Sequence, residues 1–326
     1  MRTMGFSIEH ESTPMPRRTD GTPGRRYHDV VQKLNDLGHR PLIVAAVTPL
    51  TDDGSALDAG AIAPYVAFLE SHGADGVFAC GTTGEGVLLS LDERQRTAAA
   101  FRAALSGLLV VHAGAQTTAD TVALAAHARD IGADAVAVIP PPYFPLDVDA
   151  LTAHFVAAAR AASPLPFFCY AFTARSGYPL TVEVIRRIGA SVDNLAGLKV
   201  SESPFERVEP YLDLGLPVLI GSEPLLPAGI SRGAIGTVSG MASAFPDVVR
   251  AALDAADDAA GARLSAVRAT MEASGQFIAA AKAVLGIRGV RVGPAMRAPL
   301  RQLTETEHST LEASVSSLLD EAHAPV

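Results

Sequence analysis

Eight short apolar segments recur at similar intervals along the 326-residue chain, and they limit its architecture more than any other feature. They begin near Leu42 (LIVAAVTP), Asp75 (DGVFACG), Leu109 (LVVHAGA), Ala135 (AVAVIPPP), Pro166 (PFFCYA), Leu195 (LAGLKVS), Pro217 (PVLIGSE) and Ala234 (AIGTVSG). Each is continuously apolar rather than alternating, as expected of strands buried on both faces of a parallel sheet. The stretches between them carry helical start and stop signals. Ser90-Leu-Asp-Glu93 reads as a capping box, and Thr117-Thr-Ala-Asp120 as a similar one. His72-Gly-Ala-Asp75 and Ile131-Gly-Ala-Asp134 repeat a glycine stop before the next strand. Eight strand–helix units predict a (β/α)8 TIM barrel. An open doubly wound sheet is disfavoured, because no G-x-G-x-x-G follows the first strand.

The organisation follows from that pattern. Residues 1–40 read as a tail with a short helix near Tyr27–Leu37, residues 41–245 as the barrel core, and residues 246–326 as C-terminal helices packing on it. RLSAVRATMEASGQFIAAAKAVLG and a stretch near Glu305–Ala322 have helical spacing throughout. The first 26 residues hold five arginines and three acids but no apolar h-region, so they do not read as a secretory signal, and a solvated tail is expected over a targeting or anion-binding arm. No apolar run approaches the roughly 20 residues of a membrane helix. A formal charge of −9 argues against a broad nucleic-acid surface. Two cysteines, Cys80 and Cys169, are too few for a disulfide framework, and a cytoplasmic enzyme is expected.

In such a barrel the chemistry lies at the C-terminal ends of the strands. The polar residues expected there are Thr48, the Gly81-Thr-Thr-Gly-Glu85 loop, Gln116, Tyr143, Tyr170, Lys199 with Ser201, Gly221-Ser-Glu223 and Gly236-Thr-Val-Ser-Gly240. Of 26 basic residues only Lys33, Lys199 and Lys282 are lysines, so an amine inside an apolar strand invites a role that guanidinium cannot fill. Burial between Leu198 and Val200 disfavours the ammonium of Lys199, and lowering its pKa to roughly 7 costs about 4–5 kcal/mol. A neutral amine can attack a ketone and form an imine. Lys282, within FIAAAKAVLG, reads as structural.

Tyr170 and Tyr143 are candidates for proton transfer in a chain with a threonine hydroxyl. Glycines in the GTTGE loop let successive N–H groups approach an anion. Cys80 and Cys169 read as core thiols, and His112 as a core histidine with its partner satisfied. The histidines show no H-x-H or H-E-x-x-H spacing, so no metal is expected.

Five ordered motifs complete the pattern: GTTGEG at 81–86, PPPY at 140–143, Tyr170 with a glycine seven residues later, GLK at 197–199 and GTVSG at 236–240. Over about residues 41–300 the chain resembles the dihydrodipicolinate synthase / N-acetylneuraminate lyase family of pyruvate-dependent class I aldolases. The resemblance implies that Lys199 captures pyruvate or another 2-oxo acid as an imine, so that no separate cofactor is required. It implies that Tyr170 relays protons with the Thr82 hydroxyl, that the N–H groups of Thr82 and Thr83 hold the carboxylate, and that the Val238 backbone lines the pocket. Tyr143 matches a tyrosine that reaches into the neighbouring subunit's site, which implies a homodimer or homotetramer. Arg175 matches the arginine that holds the carboxylate of the aldehyde partner in dihydrodipicolinate synthases.

Two positions depart from the family pattern. Tyr170 is followed by Ala171-Phe172-Thr173 where the family often has Asn-x-Pro, and Pro142 stands where many synthases carry a tyrosine. The Arg175 match and the anion-binding loop make pyruvate with aspartate semialdehyde the first substrate pair expected, in a 4-hydroxy-tetrahydrodipicolinate (dihydrodipicolinate) synthase-like reaction. A 2-keto-3-deoxy sugar acid or N-acetylneuraminate-type aldolase is the alternative. A non-catalytic 2-oxo acid binding protein on the same scaffold is a reading of another class, and a phosphate or flavin site after strands seven and eight is a further one.

Overall fold

A computed structural model describes Leu34 and residues 37–323. Of the tail expected over residues 1–40, all but Leu34 and residues 37–40 lies outside the described residues, and its helix does so apart from Leu34 and Leu37. All eight expected strands form: β1 (Leu42–Ala45), β2 (Gly76–Ala79), β3 (Leu108–His112), β4 (Ala135–Val138), β5 (Phe167–Ala171), β6 (Leu195–Val200), β7 (Val218–Ile220) and β8 (Gly236–Ser239). Neighbours are parallel throughout, and β1 pairs with β8, so the sheet closes into a (β/α)8 barrel.

Strand periodicity explains why the segments are apolar without interruption. Alternate residues such as Ile43, Phe78, Ala137, Phe168, Tyr170 and Val238 fill the barrel interior. Their neighbours Val44, Val77, Val136, Cys169 and Leu198 belong to the shell between sheet and helices. Both faces are buried, so both sets must be apolar.

The helices are α1 (Ile62–Ser71), α2 (Leu91–Ala104), α3 (Thr118–Asp130), α4 (Val148–Ala162), the single turn α5 (Thr173–Ser176), α6 (Val182–Ser191), α7 (Glu209–Leu212), α8 (Leu226–Ser231), α9 (Pro246–Ala255), α10 (Asp258–Glu272), α11 (Phe277–Ile287) and α12 (Glu305–His323). The capping box at α2 is complete, with Ser90 and Glu93 each accepting the other's N–H. Thr117 accepts the Asp120 N–H at the start of α3, without a returning bond among the described residues. Gly73 and Gly132 take positive φ of 87° and 72° where the chain turns from helix to strand. The aspartates that follow have a job the sequence did not announce. Asp75 accepts the Leu42 N–H at 2.8 Å and Asp134 the Leu109 N–H at 3.0 Å, each closing an N–H at the start of the preceding strand.

Helix α9 packs on β1 and β8, the position of the eighth barrel helix. Beyond it the structure differs from the unbroken helical spacing of the sequence. The chain breaks between α10 and α11, where Gly275 takes φ +69° and Ser274 Oγ accepts the Gln276 N–H. That break turns residues 275–279 over the C-terminal mouth of the barrel, where they line its cavity.

Candidate active site

A cavity of about 380 Å³ opens at this mouth. Thr82, Thr83, Tyr170, Arg175, Lys199 and Val238 line it, so the structure brings together six of the seven expected site residues.

Lys199 is 4% exposed and stands in register with Tyr170 on β5 and Leu219 on β7. Its Nζ lies 3.9 Å from the Phe78 ring centroid and 4.1 Å from that of Tyr170. The ring faces give the ammonium some support, but desolvation dominates. Burial pulls its pKa down to about 7, against the opposing pull of the Glu223 carboxylate. Tyr170 is buried beside it, edge-on to Phe78 at 5.9 Å. Burial raises its phenol above the ordinary value, and hydroxyl contacts from Thr82 and Ser201 partly offset that rise.

The GTTGE loop is built to stay open toward the cavity. Glu85 N–H donates to the Thr82 carbonyl and Gly86 N–H to that of Gly81, while Thr48 Oγ donates to the Gly84 carbonyl at 2.7 Å. A Cβ on Gly86 would overlap the Cys80 carbonyl oxygen, so only glycine fits. Glu85 has φ +56° and is held from outside the barrel. Its Oε1 accepts Lys282 Nζ at 2.6 Å, and its Oε2 accepts the Arg297 N–H at 2.7 Å. Lys282 is thus structural, as its helical setting suggested, and its partner is the loop that carries Thr82 and Thr83.

Opposite, Glu202 shapes the segment that departs from the family pattern. It is buried at the end of β6, and its Oε1 accepts both the N–H and the hydroxyl of Thr173 at 2.8 and 2.9 Å. This pins α5. Phe172 turns its ring into the cavity wall 6.1 Å from Tyr170, and the Arg175 guanidinium lies 5.7 Å over it. Among the described residues no carboxylate pairs with Arg175, which leaves a cation at the mouth.

Tyr143 is not in this cavity. It is 83% exposed at φ +82°, packed edge-on against Phe144 at 4.8 Å, and the Gln116 amide holds its loop through the Pro142 carbonyl. Gln116 and Thr48 therefore support loops rather than line the cavity. Cys80 and Cys169 are buried free thiols pushed upward by burial, Cys80 to about 11, which makes them poor nucleophiles. His112 is only half satisfied. Its Nδ1 meets the Cys80 carbonyl at 3.1 Å, while Nε2 has no partner.

Three contributors escaped the sequence reading. Glu202 and Arg268 gave no local signal, and Glu223 was visible only as a strand-end residue. Glu223 is fully buried and lines the cavity. It accepts the Ser239 hydroxyl at 2.9 Å and the Met241 N–H at 3.0 Å. A carboxylate thus already occupies donors after β7 and β8, which counts against a phosphate site there. Among the described residues no group of three or more His, Cys, Asp or Glu side chains could hold a metal ion, and no helix is long and apolar enough to cross a membrane.

The chain is 36% identical over 287 residues to an uncharacterized DapA-like lyase of Halobacterium salinarum, covering 85% of this chain and 93% of that protein. A 4-hydroxy-tetrahydrodipicolinate synthase of Corynebacterium aurimucosum is 31% identical over 286 residues, 83% of this chain and 94% of the relative. Among solved structures, the N-acetylneuraminate lyase of Proteus mirabilis superposes with a TM-score of 0.79 at 28% identity, over 86% of this chain and 98% of that one. Residues 39–318 match the dihydrodipicolinate synthetase family model, and with the barrel and these relatives in agreement the chain belongs to that family of lyases.

Proposed function

We propose that the protein is a class I aldolase-type lyase that joins pyruvate to an aldehyde, or cleaves the product, through an imine on Lys199. The observation that carries this reading is the amine itself. It is buried between two aromatic rings, its pKa is pulled down to about 7, and it lines the cavity beside Tyr170. Near neutral pH a large fraction of Nζ is therefore uncharged and nucleophilic. It attacks C2 of the 2-oxo acid, and the adduct takes up a proton and loses water to give an iminium. Tyr170, with Thr82, hands protons to and from that centre. The N–H groups of Thr82 and Thr83 hold the carboxylate. The iminium withdraws electrons from C3, so its C–H bond gives the enamine that attacks an aldehyde, and the reverse path breaks the carbon–carbon bond. No separate cofactor is needed on this route.

Arg175, a cation at the mouth with no acidic partner among the described residues, favours an aldehyde bearing a carboxylate. Aspartate semialdehyde is the first candidate, in keeping with the 4-hydroxy-tetrahydrodipicolinate synthase among the relatives. A sugar-acid aldehyde is the second reading, favoured by Glu272 and Gln276 on the outer wall as partners for hydroxyl groups. Tyr143, turned outward with Phe144, suits a contact between copies, so the active form is a homodimer or homotetramer.

Incubation with pyruvate and borohydride, followed by intact mass and peptide mapping, tests the chemistry. One reduced pyruvate on Lys199 is expected, and no adduct with any 2-oxo acid would overturn the reading. Tyr170→Phe is expected to keep the trapped adduct but lower turnover by about 10²–10⁴-fold, the range for loss of an acid–base group. Unchanged turnover would remove Tyr170 from the proton path.

A further inference from the structure

The C-terminal helices touch the chemistry through a charge as well as through the cavity wall. Arg268 on α10 donates from Nη1 to Glu223 Oε2 at 2.7 Å. It is itself held in place, with Nε donating to Glu272 at 2.7 Å and the guanidinium 4.9 Å over the Phe277 ring. With the Ser239 hydroxyl and the Met241 N–H on its other oxygen, the Glu223 carboxylate is fixed in one orientation. It lines the same cavity as Lys199, at the end of the strand next to β6.

We propose that Arg268 is a positioning residue for imine formation: by pairing with Glu223 it offsets the buried acid that faces Lys199, and so keeps the amine free to act near neutral pH. The surroundings of Lys199 leave Glu223 as the controlling charge. β2 presents Phe78, and β5 presents Tyr170, whose phenol burial keeps protonated. β3 presents His112, which burial holds neutral, and α5 contributes the Arg175 cation, which acts on Tyr170. Glu223, after β7, is the acid that acts on both Lys199 and Tyr170, and Arg268 pairs with it at 2.7 Å. An unneutralised carboxylate in a site of low dielectric stabilises a nearby ammonium strongly. Arg268 comes from a helix outside the barrel sheet, so the appendage tunes the nucleophile without touching it.

The inference rests on the Lys199 imine, and the test separates the two. The rate of pyruvate trapping by borohydride is followed against pH in the full-length protein and in Arg268→Gln, Arg268→Lys, Glu223→Gln and the double variant Arg268→Gln/Glu223→Gln. The midpoint of Arg268→Gln is expected to move about one pH unit or more to the alkaline side. Arg268→Lys keeps the charge and should keep the midpoint close to that of the parent. The double variant should lose the alkaline shift, because the offending carboxylate is gone, and Glu223→Gln alone should move the midpoint to the acid side. An Arg268→Gln profile that overlays the parent would overturn the proposal, as would a shift that persists in the double variant. Should Arg268→Gln fail to fold, an unmoved midpoint in Glu223→Gln overturns it equally. Absence of any adduct in the parent would instead remove the aldolase reading on which it stands.

Discussion

Lys199→Arg is expected to lose pyruvate trapping completely and to lower turnover by about 10⁴-fold or more, the scale seen when a covalent nucleophile is removed. Guanidinium stays protonated at every working pH and cannot form the imine, whatever its position between Phe78 and Tyr170. Lys199→Met should lose the adduct equally, yet its stability should change in a way arginine cannot match. Burial pulls the folded-state pKa of Lys199 to about 7 from 10.5. Between these values the unfolded chain binds a proton that the folded chain does not, so this residue makes stability rise as pH increases from about 7 to 10.5. Below pH 7 the folded state must carry a buried ammonium at a cost of up to about 5 kcal/mol. Lys199→Met should therefore be more stable than the parent at pH 6, with the difference fading toward pH 10. Denaturant titrations at several pH values check this, and a parent more stable than Lys199→Met at pH 6 would contradict it. A variant Lys199→Arg that turned over normally would refute the imine chemistry.

The fold was readable because parallel barrel strands must be apolar on both faces. LIVAAV and PFFCYA can hardly serve any other purpose, and the glycines at 73 and 132 mark where helices stop. Lys199 was readable for a related reason, since a charge within GLKV contradicts its surroundings. Long-range partners were not readable. Glu85 lies two residues beyond the loop threonines, but its partner Lys282 is 197 positions away in a helix whose spacing suggested only packing. Arg268 and Gln276 lie in sequence that scans as continuous helix, and only the turn at Gly275 brings Gln276 to the mouth. Glu202 is adjacent to Ser201, yet its role depends on where Thr173 falls, and register between neighbouring strands decides that. Tyr143 differs again. Its motif is legible, but in one chain it faces outward, so any catalytic role for it belongs to an assembly.

Lys282 and Lys199 are both buried lysines, and the contrast between them yields the second large effect. Lys282→Met is expected to destabilise the fold by about 3–5 kcal/mol, the cost of stranding one partner of a buried ion pair. Neither side chain of the Glu85–Lys282 pair is exposed, and Lys282 also donates to the Ala295 carbonyl at 2.6 Å. Burial pulls the Lys282 ammonium below its ordinary value, but the Glu85 carboxylate opposes that pull through a hydrogen bond as well as by charge, whereas Glu223 opposes it at Lys199 by charge alone. Removing the ammonium leaves Glu85 Oε1 without its donor while Oε2 still accepts the Arg297 N–H. The strain falls on a left-handed residue in the loop that bears Thr82 and Thr83, so affinity for the 2-oxo acid should weaken as well. Glu85→Gln added to Lys282→Met removes the stranded charge and should recover part of the lost stability, because a buried pair replaced as a whole costs far less than one partner removed. Urea titrations of the parent, the single and the double variant measure this. A double variant less stable than Lys282→Met would show that the pair acts through packing rather than charge. Opposite signs at the two lysines, stabilising for Lys199→Met at pH 6 and destabilising for Lys282→Met, would separate the amine held ready for chemistry from the one that holds the loop in place.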